Sequence, residues 1–460
     1  MHLLKSALKG SYQGQWAMAS LTPNLIPIIP RLPVTVSRTG GLGPVHAWAI
    51  QAGPAHMVLD LKESSRDGAP LNVGTGYRVS GAGFEFDVEL LPATNDFLMI
   101  KLSHPAQQAA LAALVGSQRK MHHIEICENR DVESSDRDHG LRAWSFMPCA
   151  LPDLAWSDLD TSAKFLGASF AAPVLITGMT GGIERGRSIN HNLARAAAAA
   201  GIPMGVGSQR LALDDPRFSD IFNVKAEVPG VFLIGNIGAA QLVNGRTHRE
   251  ARELCLRAIE MIDADALAIH VNVLQELIQP EGDRDFRGVF DCIADLTRDF
   301  PVPVVVKEVG AGMDPQTAKR LAGTGVRAID VGGRGGTSWG WIEGLRSADP
   351  QVLDLAQNFR DWGLTTGEAL TLAREAICKN SALQLIATGG IRTGIDVAKA
   401  VALGATMAGI GLPLFRAALK GTDEVEKTLD QIIKGLKTVM MCTGSPTLSA
   451  LTSAIRPGAQ

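Results

Sequence analysis

The sequence predicts an α/β fold, a (β/α)8 TIM barrel with an additional N-terminal segment, on three observations. Eight short apolar, β-prone runs recur between Pro173 and Gly411. Helical stretches alternate with them, the order produced by right-handed β-α-β units when a parallel sheet closes on itself. Each run also ends in a cluster of glycine or polar residues, and a parallel barrel gathers its eight strand ends, and its active site, on one face. An open doubly wound sheet is the alternative that the same order allows.

Taken along the chain, residues 1–115 form an N-terminal extension unlike the rest. Leu21 to Val36 is punctuated by proline, and β-prone pieces such as Phe84 to Leu91 are separated by turn residues, so a small β-rich or partly disordered appendage is expected. Pro105 to Val115 reads as a short helix leading into Arg119-Lys120. Residues 116–460 are assigned to the barrel. Its strands are expected at Val174 to Ile176, Ile202 to Val206, Val231 to Gly235, Ala266 to Val271, Pro303 to Val309, Arg327 to Val331, Leu383 to Ala387 and Thr406 to Ile410. Helices are expected at Ile189 to Ala200, Glu250 to Ile262, Asp314 to Ala322 and Gly394 to Leu403, and a last one, Glu424 to Met441, packs outside the barrel.

The bulk numbers narrow the function. The 460 residues are 46% hydrophobic, enough for a large core, and the 49 glycines suit many tight turns at strand ends. With 5% aromatic and 20% charged residues and a net charge of -3, the chain has no global attraction for polyanions, so nucleic acid is excluded and any anionic ligand needs a local cluster. Six scattered cysteines show neither CxxC nor zinc-ligand spacing and read as reduced thiols of a cytoplasmic protein. No apolar run is long enough to span a bilayer. The stretch before Asp60 has four basic residues and no acid, but Pro23, Pro27, Pro30 and Pro33 break it, which argues against a targeting segment.

The strand-end clusters carry the chemistry. Lys307 closes a buried apolar run, where an unpartnered charge is costly. It is either a cation beside an electron-rich flavin ring or one half of a structural pair with Glu308 or another barrel carboxylate. Gly389-Gly390-Ile391-Arg392-Thr393-Gly394, with Ala408-Gly409 after it, matches the loops that bind a phosphate through backbone N–H groups, although turn glycines alone give the same pattern. Thr177 to Gly182 is a glycine-rich turn where a planar ring could lie, and Asn236, Gly332 and Thr337 stand at neighbouring strand ends; ordinary turn and capping roles suit them equally. Ser208-Gln209-Arg210 and Arg119-Lys120, with His123, offer two cationic groups, more than one phosphate needs, so a diphosphate is implied unless the latter pair is simply solvated. His270-x-Asn272-x-x-Gln275-Glu276 either faces the site or only caps the next helix. In the first case Glu276 meets Mg2+, which is commonly held by one carboxylate together with phosphate oxygens.

Together these motifs resemble the type 2 isopentenyl diphosphate isomerases, FMN-dependent enzymes of isoprenoid synthesis. The resemblance runs from Arg119 to Leu419. It rests on Arg119-Lys120-x-x-His123, Ile176 to Gly182, Gly207-Ser208-Gln209-Arg210, His270 to Glu276, Gln279-Pro280-Glu281-Gly282-Asp283, Gly335-Gly336-Thr337-Ser338-Trp339 and Gly389 to Gly394. It implies FMN contacts from Thr177, Gly178, Met179, Thr180, Ser208, Asn236, Lys307, Gly332, Thr337, Gly390, Ile391, Arg392, Ala408 and Gly409. It implies substrate contacts from Arg119, Lys120, His123, Ser208, Gln209, Arg210 and Gln275, a Mg2+ ligand in Glu276, and catalytic or positioning roles for Gln275, His270 and Lys307. Family members are commonly homo-oligomers, tetramers or larger, and need a reductant such as NADPH. Arg334 and Thr365 depart from the pattern, standing where a small residue and a proline are usual.

The implied reaction is a 1,3-proton shift turning isopentenyl diphosphate into dimethylallyl diphosphate, with reduced flavin as the acid-base group. The nearest competitor is an FMN-dependent 2-hydroxy-acid oxidoreductase, which needs a histidine after a late strand; the turn Gly332 to Thr337 has none. A nucleotide dehydrogenase needs a loop cysteine, and Cys378 lies in a helical stretch. A flavin-binding barrel without turnover is the non-enzymatic reading. Gly40-Gly41-Leu42-Gly43 only superficially suggests a dinucleotide site.

Overall fold

The structure is a computed structural model describing residues 26–38, 42–52, 56–60, 74–81, 84–94, 97–101, 119–179, 184–377 and 382–458. The chain divides into two compact units, Met1–Arg119 and Lys120–Gln460. Among the described residues, no helix is long and apolar enough to cross a membrane.

The first unit is a closed antiparallel barrel of six strands, Ile26–Arg38, Leu42–Ala52, His56–Asp60, Gly74–Gly81, Phe84–Thr94 and Phe97–Lys101. In the order of these strands the ring reads one, two, three, six, five, four. The first strand closes it by pairing on both sides: Thr35 is opposite His46 on one neighbour and Ser80 on the other. The helix expected over 105–115 lies outside the described residues.

The second unit is the (β/α)8 barrel. Its parallel strands are Val174–Ile176, Met204–Gly205, Leu233–Gly238, Ala266–Val271, Val304–Glu308, Ala328–Asp330, Gln384–Thr388 and Met407–Ile410, hydrogen-bonded in chain order. The first and last pair directly, Val174 opposite Ala408, which closes the ring. Two strands differ from expectation. The second is only two residues long, and the third runs on to Gly238, where it is still paired with the fourth at His270, while Gln209 N–H and side-chain oxygen bond the backbone of Asn236 on its other flank. Helices Trp339–Arg346, Pro350–Asn358 and Thr366–Ala376 fill the long connection between the sixth and seventh strands.

Capping chemistry sets several helix starts. Thr247 and Glu250 form a capping box on His248–Ile262, Thr365 and Glu368 one on Thr366–Ala376, and Thr393 and Asp396 one on Gly394–Ala402. This explains Thr365: its hydroxyl accepts from Glu368 N–H, which the usual proline could not do. The C-terminal helix, Thr422–Cys442, buries Val425, Leu429, Ile432, Leu436 and Met440 along one stripe. It crosses Gly394–Ala402 so closely that a Cβ on Gly394 would collide with the backbone at Ile432 and Leu436.

Inside the barrel, Leu175, Ile234, Ala268, Val305, Ala328, Ile386 and Met407 form an apolar layer. A hairpin, Ala163–Phe165 and Ala168–Phe170, plugs the end where the strands begin, with Phe170 edge-on to Phe232. Gln384 locks the plug, accepting from Leu166 N–H at 2.8 Å and donating to the Lys164 carbonyl at 2.9 Å. Only the opposite, C-terminal mouth remains for a ligand.

Candidate active site

Lys307 is the penultimate residue of the fifth strand. Its ammonium donates to Asp330 at 2.7 Å, the register partner on the sixth strand, and Asp330 is only 1% exposed. The carboxylate that pairs with Lys307 is therefore Asp330. The other oxygen of Asp330 accepts from Gly332 N–H at 3.1 Å, in a turn where Gly332 has φ 49°. Glu308 is engaged elsewhere, accepting from the amides of Gly310, Ala311 and Gly312 at 2.7, 2.7 and 3.0 Å. Burial pushes its carboxyl up to about 7 although those amides favour the charged form.

Lys307 and Asp330 line a cavity at the mouth with Thr177, Gly178, Asn236 and Ala268. Beside it His270 Nδ1 lies 2.7 Å from Asn236 Oδ1, whose amide nitrogen donates to the Val206 carbonyl at 3.1 Å. Burial, then the positive charges of Lys120, Lys307 and Arg210, push the His270 pKa down to about 3. The three positive charges thus oppose a proton on the His270 ring.

A second cavity, lined by Lys120, His123, Met179, Trp339 and Phe415, adjoins a buried polar network. Its hub is Glu343, fully buried on helix Trp339–Arg346. Glu343 Oε1 is 3.0 Å from His123 Nε2 and accepts from Gln275 Nε2 at 2.9 Å; its Oε2 accepts from Arg346 Nε at 2.8 Å. Arg346 also reaches Glu281 Oε1 at 2.6 Å. Burial lowers the His123 pKa to about 4, against the pull of Glu343, and its ring stands edge-on to Trp339 with centroids 5.5 Å apart. Asn272, N-cap of the helix Val273–Ile278, donates to Gln275 Oε1 at 3.1 Å and Glu276 Oε1 at 2.9 Å. The second Glu276 oxygen accepts from Asp283 N–H at 2.9 Å. Among the described residues no three His, Cys, Asp or Glu side chains gather as a metal cage.

The glycine loops make the cradle. A Cβ on Gly178 would strike the Val206 carbonyl, and one on Gly336 would lie 2.5 Å from Gly390 N. Gly389 and Gly390 have φ 119° and 71°, which side chains resist. Thr388, at the end of the seventh strand beside Gly409, has a buried hydroxyl with no hydrogen-bond partner. A buried cation, an orphan hydroxyl and side-chain-free loops around one mouth fit a flavin and its phosphate.

Not every expected residue faces this space. Gln209 is 0% exposed, and its amide donates to the Ala258 carbonyl at 2.8 Å while accepting from Asn236 N–H, so it ties strand to helix and is spent. Arg392 pairs with Glu133, and its N–H goes to Asp396 at 3.1 Å. Ala408 and Gly409 lie inside the last strand; the first residue beyond it is Gly411, against Met179. Arg210 sits 3.9 Å from Asp283. Ser208 is half-buried in the preceding loop, as is Thr337, which bridges the backbone of Glu133. Ile391 is fully buried. Arg119 and Lys120 open the helical residues 119–129, Arg119 as the last residue of the first unit and Lys120 as the first of the barrel unit. Thr180 and Cys378 lie outside the described residues. Arg334 pairs with Asp136 on a segment whose Ser134 N–H also bonds Gly336, so its extra length is accommodated at the rim.

Asp330, Glu343 and Arg346 were not anticipated. The signal for the last two was an acid and a base three residues apart in an otherwise uncharged segment, Trp339 to Ser347.

Comparison with known proteins decides the family. An isopentenyl-diphosphate delta-isomerase of Nostoc sp. is 43% identical over 333 residues, covering 72% of this chain and 93% of the relative. One of Pseudescherichia vulneris is 44% identical over 338 residues, 73% and 95% of the two chains. This chain belongs to the isopentenyl-diphosphate delta-isomerase family. The isomerase-family chain also matches the FMN-dependent dehydrogenase model over residues 264–456. A solved flavocytochrome b2 variant with sulfite bound superposes with a TM-score of 0.55 at 18% identity, over 76% of this chain and 86% of that one, which shows the shared fold.

Proposed function

We propose that residues 116–460 catalyse the FMN- and Mg2+-dependent isomerisation of isopentenyl diphosphate to dimethylallyl diphosphate. The observation that carries this is the Glu343 network, which presents the polar side chains of His123 and Gln275 beside a cavity walled by Trp339, Met179 and Phe415 and edged by Lys120. A short apolar chain with an anionic head matches such a wall and edge, and no residue there is a conventional strong acid.

Reduced FMN, when bound, supplies the acid-base chemistry of the proton shift. The chain's own residues do the rest. Lys307, steadied by Asp330, holds positive charge where a reduced flavin's negative charge needs it, and Thr177, Gly178, Asn236 and the glycine loops offer close backbone approach. Gly411 is a better candidate than Ala408 or Gly409 for a phosphate contact, because it alone lies past the strand end. Lys120 and Arg210 meet the diphosphate, and Glu276 would hold Mg2+ against it. Trp339 and Met179 exclude water from the alkene, and Gln275 presents a fixed amide to the moving proton. Backbone amides are the stronger candidates for the flavin phosphate, since the Arg392 charge is met by Glu133. NADPH is the proposed reductant, and a cytoplasmic homo-oligomer the proposed form.

The test is an anaerobic incubation of the FMN-loaded, reduced protein with Mg2+ and isopentenyl diphosphate in D2O, followed by NMR. Deuterated dimethylallyl diphosphate, absent with oxidised flavin, is expected. Bound reduced flavin and bound diphosphate without deuterium exchange would sink the proposal.

A further inference from the structure

Arg346 takes the oxygen of Glu343, Oε2, that His123 and Gln275 do not. It is one turn beyond Glu343 on the same helix, with its side chain about 10% exposed, and it bridges two buried carboxylates, Glu343 at 2.8 Å and Glu281 at 2.6 Å. A carboxylate as buried as Glu343 is costly as a charge unless a cation stands against it.

The state of Glu343 determines how its neighbours face. An ionised carboxylate only accepts hydrogen bonds. Gln275 must then turn its NH2 toward Glu343 and leave its oxygen to Asn272, and His123 must carry its proton on Nε2 and leave Nδ1 as the acceptor. A protonated Glu343 can donate, and both constraints are lifted: the amide can flip and the imidazole can change tautomer.

We infer that Arg346 is a positioning residue of this site: by gripping Glu343 through Oε2 and anchoring on Glu281, it fixes the orientation of the Gln275 amide and the tautomer of His123. The inference rests on the isomerase reading above. Arg346 is not among the residues lining that cavity, and its hydrogen bond into the network goes to Glu343. The charged groups facing His123 are Glu343, Lys120 and Arg346, so Lys120 is kept intact in every variant below.

The experiment compares Arg346→Met, Arg346→Lys and Glu281→Gln in the FMN-loaded full-length protein. Arg346→Met is expected to lower kcat about 100-fold, the usual scale for a misplaced catalytic group, while the dissociation constant of isopentenyl diphosphate on the oxidised enzyme changes less than about threefold. Arg346→Lys should recover about tenfold of that loss by restoring charge without the two-pronged grip. Glu281→Gln, which removes only the outer anchor, should lower kcat by about tenfold.

A second reading needs no turnover. Infrared difference spectra of Arg346→Met near neutral pH should gain a protonated-carboxyl band that vanishes when Glu343→Gln is added. A kcat within threefold of the parent in Arg346→Met, or no such band, would overturn the inference. So would equal losses of flavin content, thermal midpoint and substrate affinity in Arg346→Met and Arg346→Lys, because Arg346 would then only hold the fold. If Arg346→Met does not fold, Arg346→Lys and Glu281→Gln decide, unchanged kcat in both counting against it. If the parent protein isomerises nothing, the isomerase reading fails, and the infrared band alone judges the role of Arg346 toward Glu343.

Discussion

Single side chains at the mouth combine a structural and a chemical duty, and their removal should show both. Replacing Lys307 by methionine leaves Asp330 buried and uncompensated, which costs about 3–5 kcal/mol. Adding Asp330→Asn should return most of that stability but not flavin affinity, a split that urea unfolding and flavin titration of the two variants would reveal. The buried histidines give a pH signature. The pKa values of His123 and His270 are depressed to about 4 and about 3 in the folded protein, below the ordinary 6.5, so the unfolded chain takes up their protons first as pH falls. Their contribution is complete above pH 6.5 and is lost as pH drops from there toward 4, at up to about 1.4 kcal/mol per pH unit for each ring. Thermal unfolding of the parent and of His123→Gln should therefore diverge in slope between about pH 6 and pH 4.5; parallel slopes would refute the assignment. His270 and Lys307 stand out in the sequence as polar residues at the ends of apolar runs, and His123 by its place after Arg119-Lys120. The bonds of Gln209, which sits between Ser208 and Arg210 like a ligand, were not legible there. Its partners, the backbone of Asn236 and Ala258, are distant in the chain, and no local pattern announces them.

At the scale of elements, the strands were legible because short apolar runs ending in glycine or polar clusters mark them, and helices such as His248–Ile262 because apolar residues recur at helical spacing. The connection from the sixth to the seventh strand was opaque. The first of its three helices, Trp339–Arg346, carries two glycines and two tryptophans in place of a clean apolar stripe, and it hides Glu343. The hairpin plug shows what an unremarkable pair of three-residue strands contributes. Phe165 is fully buried at the barrel's closed end, and Phe165→Ala should cost about 3–5 kcal/mol in chemical unfolding while leaving flavin affinity intact once folded. The crossing of Gly394 with the C-terminal helix is equally intolerant. Gly394→Ala should destabilise by about 1–3 kcal/mol and move the loop that begins at Gly389, a displacement readable as weaker flavin binding.

The whole chain holds two closed barrels built on opposite principles, one antiparallel and one parallel, each with a ring of its own. Calorimetry should resolve two unfolding transitions, and FMN at about 100 times its dissociation constant should raise only one of them, by an increment equivalent to about 2.7 kcal/mol. A single transition shifted as a unit by FMN would show that the two barrels unfold together. The larger ring has a further consequence during biosynthesis. Its first strand needs Met407–Ile410 on one flank, so every ribosome that has not yet released that last strand carries a parallel sheet with a bare edge. The smaller barrel has all its strands by Lys101 and can mature early, while the larger one waits for almost its whole length. Chains arrested just before Met407 should be cut readily by protease and bound by chaperones, and chains arrested well beyond the C-terminal helix should be neither.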